Sequence, residues 1–346
     1  MDIGEFLKEW ENDSPTISVQ TSGSTGEPKR MQVEKSRMRA SARMTCDFLG
    51  LQPGDTALLC MSLDYIAGKM MVVRARERGL RLITVPPSSR PLRSLVAAGS
   101  PSPLSLDFVA MVPLQVYHSL EHPEERALLR QVRHLLIGGG AIDEALEQRL
   151  QDFPHAVWSS YGMTETLSHI ALRRVNGAGR SHWYQPLEGV RVWQSEDGCL
   201  AIEAPAVCAV PLQTHDRVEM HADGIRFRIL GRVDNVIDSG GIKIQIEEVE
   251  RLLRPHISCP FLITRQADER LGERVVLMVE REAKAVPMDG KAESRREEQL
   301  LTVCRRVLPR YWQPRRVITV PSLPMTETGK PARAKAEAMA SNDNRP

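Results

Sequence analysis

Four short apolar runs, Thr56 to Met61, Leu80 to Val85, Leu106 to Val112 and His134 to Ile137, confine this chain to few architectures. Helix-length stretches lie between them, among them Gly68 to Arg78 and Pro123 to Gln131. Antiparallel strands can be joined by a tight turn, whereas parallel strands need a crossover, so this alternation predicts parallel strands with helices packed on them. Ligands in such sheets gather beyond the C-terminal ends of the strands.

Ahead of this rhythm, Ile3 to Trp10 puts Ile3, Phe6, Leu7 and Trp10 on one helical face, and Thr16 to Gln20 alternates as a strand. Ser36 to Leu49 reads as a helix closed by the turn cluster Gly50 to Asp55. From Val190 to Arg228 short alternating strands with turns at Asp197-Gly198 and Asp223-Gly224 predict a small antiparallel subdomain. The texture changes again after Gly231-Arg232. A helix at Gln245 to Leu253, strands at Phe261 to Thr264, Val275 to Glu280 and Val317 to Val320, and a charged helix near Arg295 to Arg306 predict a second, α+β unit. The boundary is placed at Arg232 to Asn235, giving domains of 1–232 and 233–346. The Ala-rich, polar segment from Ala332 to Pro346 is expected to fray.

Composition excludes several functions. With 46 basic against 44 acidic side chains the net charge is +2, so nothing in the balance calls for nucleic acid or an anionic membrane. The six cysteines are widely spaced, with no C-x-x-C pair and no histidine cluster at ligand spacing, which argues against zinc and for reduced thiols. No apolar signal core opens the sequence and no run of about 18 apolar residues occurs. A cytoplasmic protein with no membrane span is expected.

The densest chemistry lies in Thr21-Ser22-Gly23-Ser24-Thr25-Gly26-Glu27-Pro28-Lys29. Two glycines, four hydroxyls and a lysine suit a loop that wraps N–H groups and side-chain donors around a polyphosphate. It is not the common P-loop, since Pro28 separates Glu27 from Lys29. Gly138-Gly139-Gly140 then ends a buried strand, where a backbone must approach something closely. Tyr161-Gly162-Met163-Thr164-Glu165 offers an aromatic to stack on a purine, and a hydroxyl and carboxylate for phosphate and Mg²⁺, a hard cation that prefers oxygen. Asp216 and Arg232 follow strand-like stretches and could share a ribose diol; alone, each reads as a surface charge. Taken alone, too, Gly240-Gly241 is a hairpin turn and Lys330 a surface lysine.

Together and in this order, these motifs resemble the adenylate-forming enzymes, that is, acyl-CoA synthetases, luciferases and peptide-synthetase adenylation domains. The resemblance runs from Thr21 to Lys330 and includes the thirteen residues from Gly231 to Lys243 and the loop Pro324 to Pro331. It implies a large N-terminal α/β domain of mixed, mainly parallel sheets with a small β-rich subdomain, then a small mobile α+β C-terminal domain. It also implies roles. Thr21, Ser22, Gly23, Ser24, Thr25, Gly26 and Lys29 form the phosphate loop; Gly138, Gly139, Tyr161, Gly162, Asp216 and Arg232 bind nucleotide; Thr164 meets phosphate and Glu165 holds Mg²⁺. Asp234 is the hinge, Gly240 and Gly241 line the path of the coenzyme A arm, and Lys330 catalyses adenylation. One departure is local: the family has Thr-Gly-Asp where this chain reads Thr214-His215-Asp216.

The implied reaction consumes ATP, with Mg²⁺, and coenzyme A, and joins CoA to a small carboxylic acid. Family members carry a much longer stretch before the phosphate loop than the 20 residues here, which implies fewer walls for a long acyl tunnel, a compact acid, and apolar surface that a homodimer could cover. Tyr65 takes the position of the family's acyl-site aromatic, with Lys69 and Arg74 nearby as cations for a second carboxylate, and Ser168 after Glu165 completes the expected acyl pocket. Within the family the pattern is most similar to the o-succinylbenzoate–CoA ligases of menaquinone biosynthesis, whose acid is an aromatic dicarboxylate. Two alternatives stay open: a CoA ligase for another aryl or medium-chain acid, and a catalytically silent nucleotide-binding regulatory protein.

Overall fold

The computed structural model describes residues 1–20, 30–97, 105–281, 290–326 and 330–343. The helix Ile3–Glu11 begins with a capping box in which Asp2 and Glu5 satisfy each other's backbone N–H groups, and it buries Phe6 and Trp10 one turn apart. The hairpin Thr16–Gln20 with Arg30–Glu34 follows, paired antiparallel from Thr16 opposite Glu34 to Gln20 opposite Arg30. The nine residues of the expected phosphate loop, Thr21, Ser22, Gly23, Ser24, Thr25, Gly26, Glu27, Pro28 and Lys29, lie outside the described residues.

The four apolar runs become parallel strands, as the alternation predicts. A seven-stranded sheet runs in the order Arg81–Thr84, Thr56–Leu59, Phe108–Met111, His134–Ile137, Ala156–Gly162, His169–Arg174, Gln185–Pro186. The first four pairings are parallel and the last two antiparallel. Thr56–Leu59 and Phe108–Met111 are buried along their whole length because both faces are covered, one by a core containing Phe6, Met38, Met70 and Phe108, the other by a core containing Leu58, Val109, Leu135 and Leu146. The expected antiparallel subdomain is a four-stranded meander, Arg191–Gln194, Cys199–Glu203, Leu212–Met220 and Phe227–Arg232.

A one-turn 3₁₀ helix, Val233–Asn235, then leads into a sheet with a separate core. Its strands Val236–Ser239, Ile242–Gln245, Phe261–Asp268, Gly272–Glu280 and Arg316–Val320 enclose Ile237, Ile244, Val249, Ile263 and Leu277 together with the helix Ile246–Leu253. All six cysteines are free thiols. Among the described residues no helix is long and apolar enough to cross a membrane.

One expectation is overturned. The segment from Ala332 does not fray: Arg333–Asn342 is a helix whose Ala336 and Ala340, four residues apart, are fully buried against Val276, Met278, Ile318 and Val320. Alanine combines high helix propensity with a side chain small enough for close approach to a sheet, so the composition that suggested a loose tail suits a docked helix.

Candidate functional site

Asp216 and Arg232 stand directly opposite each other on neighbouring strands of the meander, and Arg232 donates to Asp216 Oδ1 at 3.1 Å. The other oxygen of Asp216 accepts from the Tyr161 hydroxyl at 2.6 Å. Tyr161 sits near the C-terminal end of a central strand, its ring edge-on to Phe227 at 5.4 Å and tilted to Tyr184 at 6.0 Å. Burial first, and the adjacent carboxylate second, push its phenol far above the usual tyrosine value, so it stays a donor. A second donor on Arg232 reaches Asp234 Oδ2 at 2.6 Å, and Asp234 also accepts from His215 Nδ1 at 2.9 and 3.0 Å. Burial acts to raise the Asp234 carboxyl, but its bonds to Arg232 and His215 prevail and hold it below the ordinary aspartate value. The result is an unbroken chain, Tyr161, Asp216, Arg232, Asp234, His215.

Lys330 joins this group from the second unit. Its ammonium is half-buried, and that desolvation lowers its proton affinity; the nearby Asp216 opposes the shift and Arg232 reinforces it. The backbone holding it is a tight loop in which Thr326 N–H donates to Lys330 O at 2.7 Å and Lys330 N–H to Thr326 Oγ1 at 3.0 Å. The two units also meet through ion pairs of Arg254 with Asp143 at 2.8 Å and Arg251 with Glu144 at 3.4 Å.

Thr164 and Glu165 occupy a one-turn 3₁₀ helix just past the Tyr161 strand, and Glu165 is exposed with no partner among the described residues. The described residues contain no group of three or more potential metal-ligating His, Cys, Asp or Glu side chains. One free carboxylate is the donor set suited to Mg²⁺ that arrives with phosphate oxygens and water. Gly138 and Gly139 follow the strand His134–Ile137; Gly139 has φ of +78°, and a Cβ on Gly138 would lie 2.4 Å from Ser160 Oγ. At Gly162 a Cβ would lie 2.2 Å from Ser168 O, so here glycine is required by the strand that passes behind it. Gly240 and Gly241, at φ of +61° and +82°, make the two-residue turn between Val236–Ser239 and Ile242–Gln245, the double positive φ of a type I′ hairpin.

Of the expected acyl-site residues, the structure groups Arg74 with Ser168 and places Lys69 elsewhere. Five positions apart on the helix Ile66–Arg78, the two cations point in directions about 140° apart. Lys69 sits 5.2 Å above the Phe6 ring of the first helix. Arg74 is 2% exposed and donates to Ser168 Oγ at 2.5 Å; no carboxylate pairs with it among the described residues, its Nε is buried without a partner, and burial lowers it to about 10. Tyr65 caps the start of this helix and bridges to Gln20, at the edge of the phosphate-loop segment. An open cleft of about 800 Å³ lined by Trp10, Lys35, Arg39 and Arg76 contains none of these residues.

Three contributors were missed as such. His169 accepts or donates at 3.3 Å with Ser168 and 3.0 Å with Thr45 Oγ1, behind Arg74. Leu167 has the one positive φ outside glycine among the described residues, +64°, in the turn between Glu165 and Ser168. His215 binds Asp234. His215 carried a signal as the departure from the family's glycine, and Leu167 and His169 stood in the segment after Glu165 that resembles the o-succinylbenzoate–CoA ligases, though without a role; Thr45 read as an ordinary helix residue.

The AMP-binding enzyme model matches residues 5–193, and the AMP-binding enzyme C-terminal domain matches residues 264–330. The chain belongs to the AMP-binding enzyme family. Lys330 is the last residue of the second match, while Asp216, Arg232, Asp234 and the glycine pair fall between the two. Similar curated family members include the 2-succinylbenzoate–CoA ligases of Haemophilus influenzae, 27% identical over 81% of this chain and 62% of that protein, and of Salmonella typhimurium, 27% identical over 90% and 66%. The chain thus spans about two-thirds of the length of these relatives. Among solved structures, an acyl-CoA synthetase (AMP-forming)/AMP-acid ligase II-like protein from Dyadobacter fermentans is 33% identical with a TM-score of 0.61, covering 97% of this chain and 93% of that one. The O-succinylbenzoate coenzyme A synthetase of Bacillus subtilis, solved in complex with ATP and magnesium ion, shares the fold at 21% identity and a TM-score of 0.71, over 92% of this chain and 69% of that one.

Proposed function

We propose that this family member is a cytoplasmic, ATP-dependent acid–CoA ligase acting on o-succinylbenzoate. The curated ligases named above support the reaction, and the observation that carries the substrate is Arg74. A buried guanidinium without a counter-charge costs several kcal/mol, and a second carboxylate on the acid removes that cost. Benzoate and octanoate have no such group.

In the first half-reaction the substrate carboxylate oxygen attacks the α-phosphorus of ATP, the bond to the β-phosphate oxygen breaks, and pyrophosphate leaves. Lys330 sets its ammonium where negative charge builds between attacking oxygen and phosphate, which stabilises the transition state rather than the ground state. Thr164 and the phosphate loop, including Lys29, orient the phosphates; Glu165 would hold Mg²⁺, which would supply charge neutralisation to the phosphates. Tyr161, Gly138, Gly139 and Gly162 surround the adenine, and Asp216 and Arg232 the ribose. The C-terminal unit then turns about Asp234, withdrawing Lys330 and presenting Gly240 and Gly241 to the coenzyme A arm. The thiol sulfur attacks the acyl carbon, its proton passes to solvent, and AMP departs.

The test is thioester formation from o-succinylbenzoate with MgATP and coenzyme A, beside benzoate and octanoate. Turnover of o-succinylbenzoate alone is expected. Turnover of a monocarboxylate instead overturns the role of Arg74, and ATP binding without turnover on any acid overturns the ligase reading.

A further inference from the structure

We propose that His215 is a positioning residue that holds the hinge in the orientation seen here, with Lys330 in the nucleotide site, and so sets the balance between the two half-reactions. The inference rests on Asp234 as the hinge. The Asp234 carboxylate is gripped from two sides. Arg232, two residues earlier on the last meander strand, is held at the same time by Asp216 across the sheet. His215 belongs to the strand Leu212–Met220, a different element, and its Nδ1 sits 2.9 and 3.0 Å from the two oxygens. Rotation about φ at Asp234 swings that carboxylate relative to the meander, so its bond to His215 breaks when the C-terminal unit turns, while Arg232 keeps its bond to Asp216.

Arg232 links the pair to Asp216 within the meander, and Lys330 from the second unit lies near Asp216 and Arg232. His215 itself is 61% exposed at its side chain and has no hydrogen-bond partner other than Asp234 among the described residues. Asp234 is thus its one hydrogen-bond partner there, and the loss of that bond is felt at the hinge. Because the bond forms in the orientation that brings Lys330 to Asp216, its loss disfavours adenylation and leaves the second half-reaction untouched or faster.

The experiment compares the wild type with His215→Ala, which removes the donor, and His215→Asn, whose amide N–H₂ sits near the place of Nδ1. Pyrophosphate release from MgATP and o-succinylbenzoate without coenzyme A is expected to slow about two- to five-fold in His215→Ala, the range for a solvent-exposed side-chain pair. Thioester formation from supplied o-succinylbenzoyl-adenylate is expected to hold or rise. His215→Asn is expected to restore the wild-type ratio. A separate readout needs no catalysis: tryptic cleavage after Arg232 is expected to quicken several-fold in His215→Ala and not in His215→Asn. Equal slowing of both half-reactions, or unchanged cleavage, overturns the proposal. A wild type that adenylates no acid overturns the ligase reading alone, and the cleavage rates still decide the role of His215.

Discussion

His169 Nε2 lies 3.0 Å from Thr45 Oγ1, and this contact fixes the direction of every hydrogen bond behind Arg74. Thr45 spends its own proton on Ser41 O at 3.1 Å, so its oxygen must accept from His169 Nε2–H. Nδ1 is then the acceptor for Ser168 Oγ–H at 3.3 Å, which leaves the Ser168 oxygen free to accept from Arg74. A neutral imidazole is required throughout, and burial, aided by the Arg74 charge, lowers His169 well below the ordinary histidine value.

Thr45→Val keeps the shape and deletes the acceptor. It strands a buried imidazole N–H, at a cost of about 1–3 kcal/mol, and loosens Ser168 and with it Arg74. A lower unfolding midpoint in denaturant is expected together with a raised KM for the acid and an unchanged KM for ATP. A stability loss with no change in acid KM would detach the relay from the acyl site.

The same histidine sets a pH dependence. Its folded value is depressed, so below 6.5 the unfolded chain binds a proton that the folded chain refuses, and stability falls as pH falls. Between pH 7.5 and 5.5 the loss from this group is about 1.4 kcal/mol. His134, lowered to about 4 by burial and by Arg133 and Arg174, contributes in the same direction at lower pH, so the comparison must be with His169→Gln. Denaturant unfolding at both pH values should show a smaller loss in the variant; parallel curves would mean that His169 is already charged.

Much of this architecture was legible because local pattern and tertiary burial agree. The runs at Thr56, Leu106 and His134 are apolar because both sheet faces are covered, and Asp197-Gly198 and Asp223-Gly224 turn because the meander needs positive φ at Gly198 and Gly224. The motifs located Tyr161, Asp216, Arg232 and Lys330 in sequence. What they could not convey is partnership across distance. That Arg74 meets Ser168, 94 residues away, while Lys69 turns to Phe6, depends on how the helix Ile66–Arg78 is rolled against its neighbours. The helix Arg333–Asn342 was missed for a related reason. Its stability comes from docking Ala336 and Ala340 on a sheet, and no amphipathic pattern announces a face made of alanine.

Lys330→Ala separates the two half-reactions. In the proposed mechanism the ammonium serves the charge that develops at the α-phosphate, so pyrophosphate release is expected to fall by at least about 100-fold, the scale for removing one preorganised electrostatic group. Thioester formation from supplied acyl-adenylate is expected to stay near the wild-type rate. Equal losses in both assays would place Lys330 in binding rather than in adenylation.

Arg333, the first residue of the docked C-terminal helix, ties it to the helix Ile246–Leu253. Its guanidinium grips Glu250 at 2.6 and 2.8 Å, and Glu250, buried, also accepts from Ile263 N–H at 2.8 Å. Lys330 lies three residues before Arg333, on the loop that leads into this helix. Arg333→Met leaves Glu250 buried with one bond instead of three, which is expected to cost about 3–5 kcal/mol. Glu250→Gln in the Arg333→Met background removes the stranded charge and should recover part of that stability without restoring the grip. If the ion pair positions Lys330, adenylation stays impaired in the double variant at a temperature where it is fully folded, while thioester formation from supplied acyl-adenylate does not. Recovery of both activities with stability would show that Arg333 holds the fold and leaves the placement of Lys330 to its own loop.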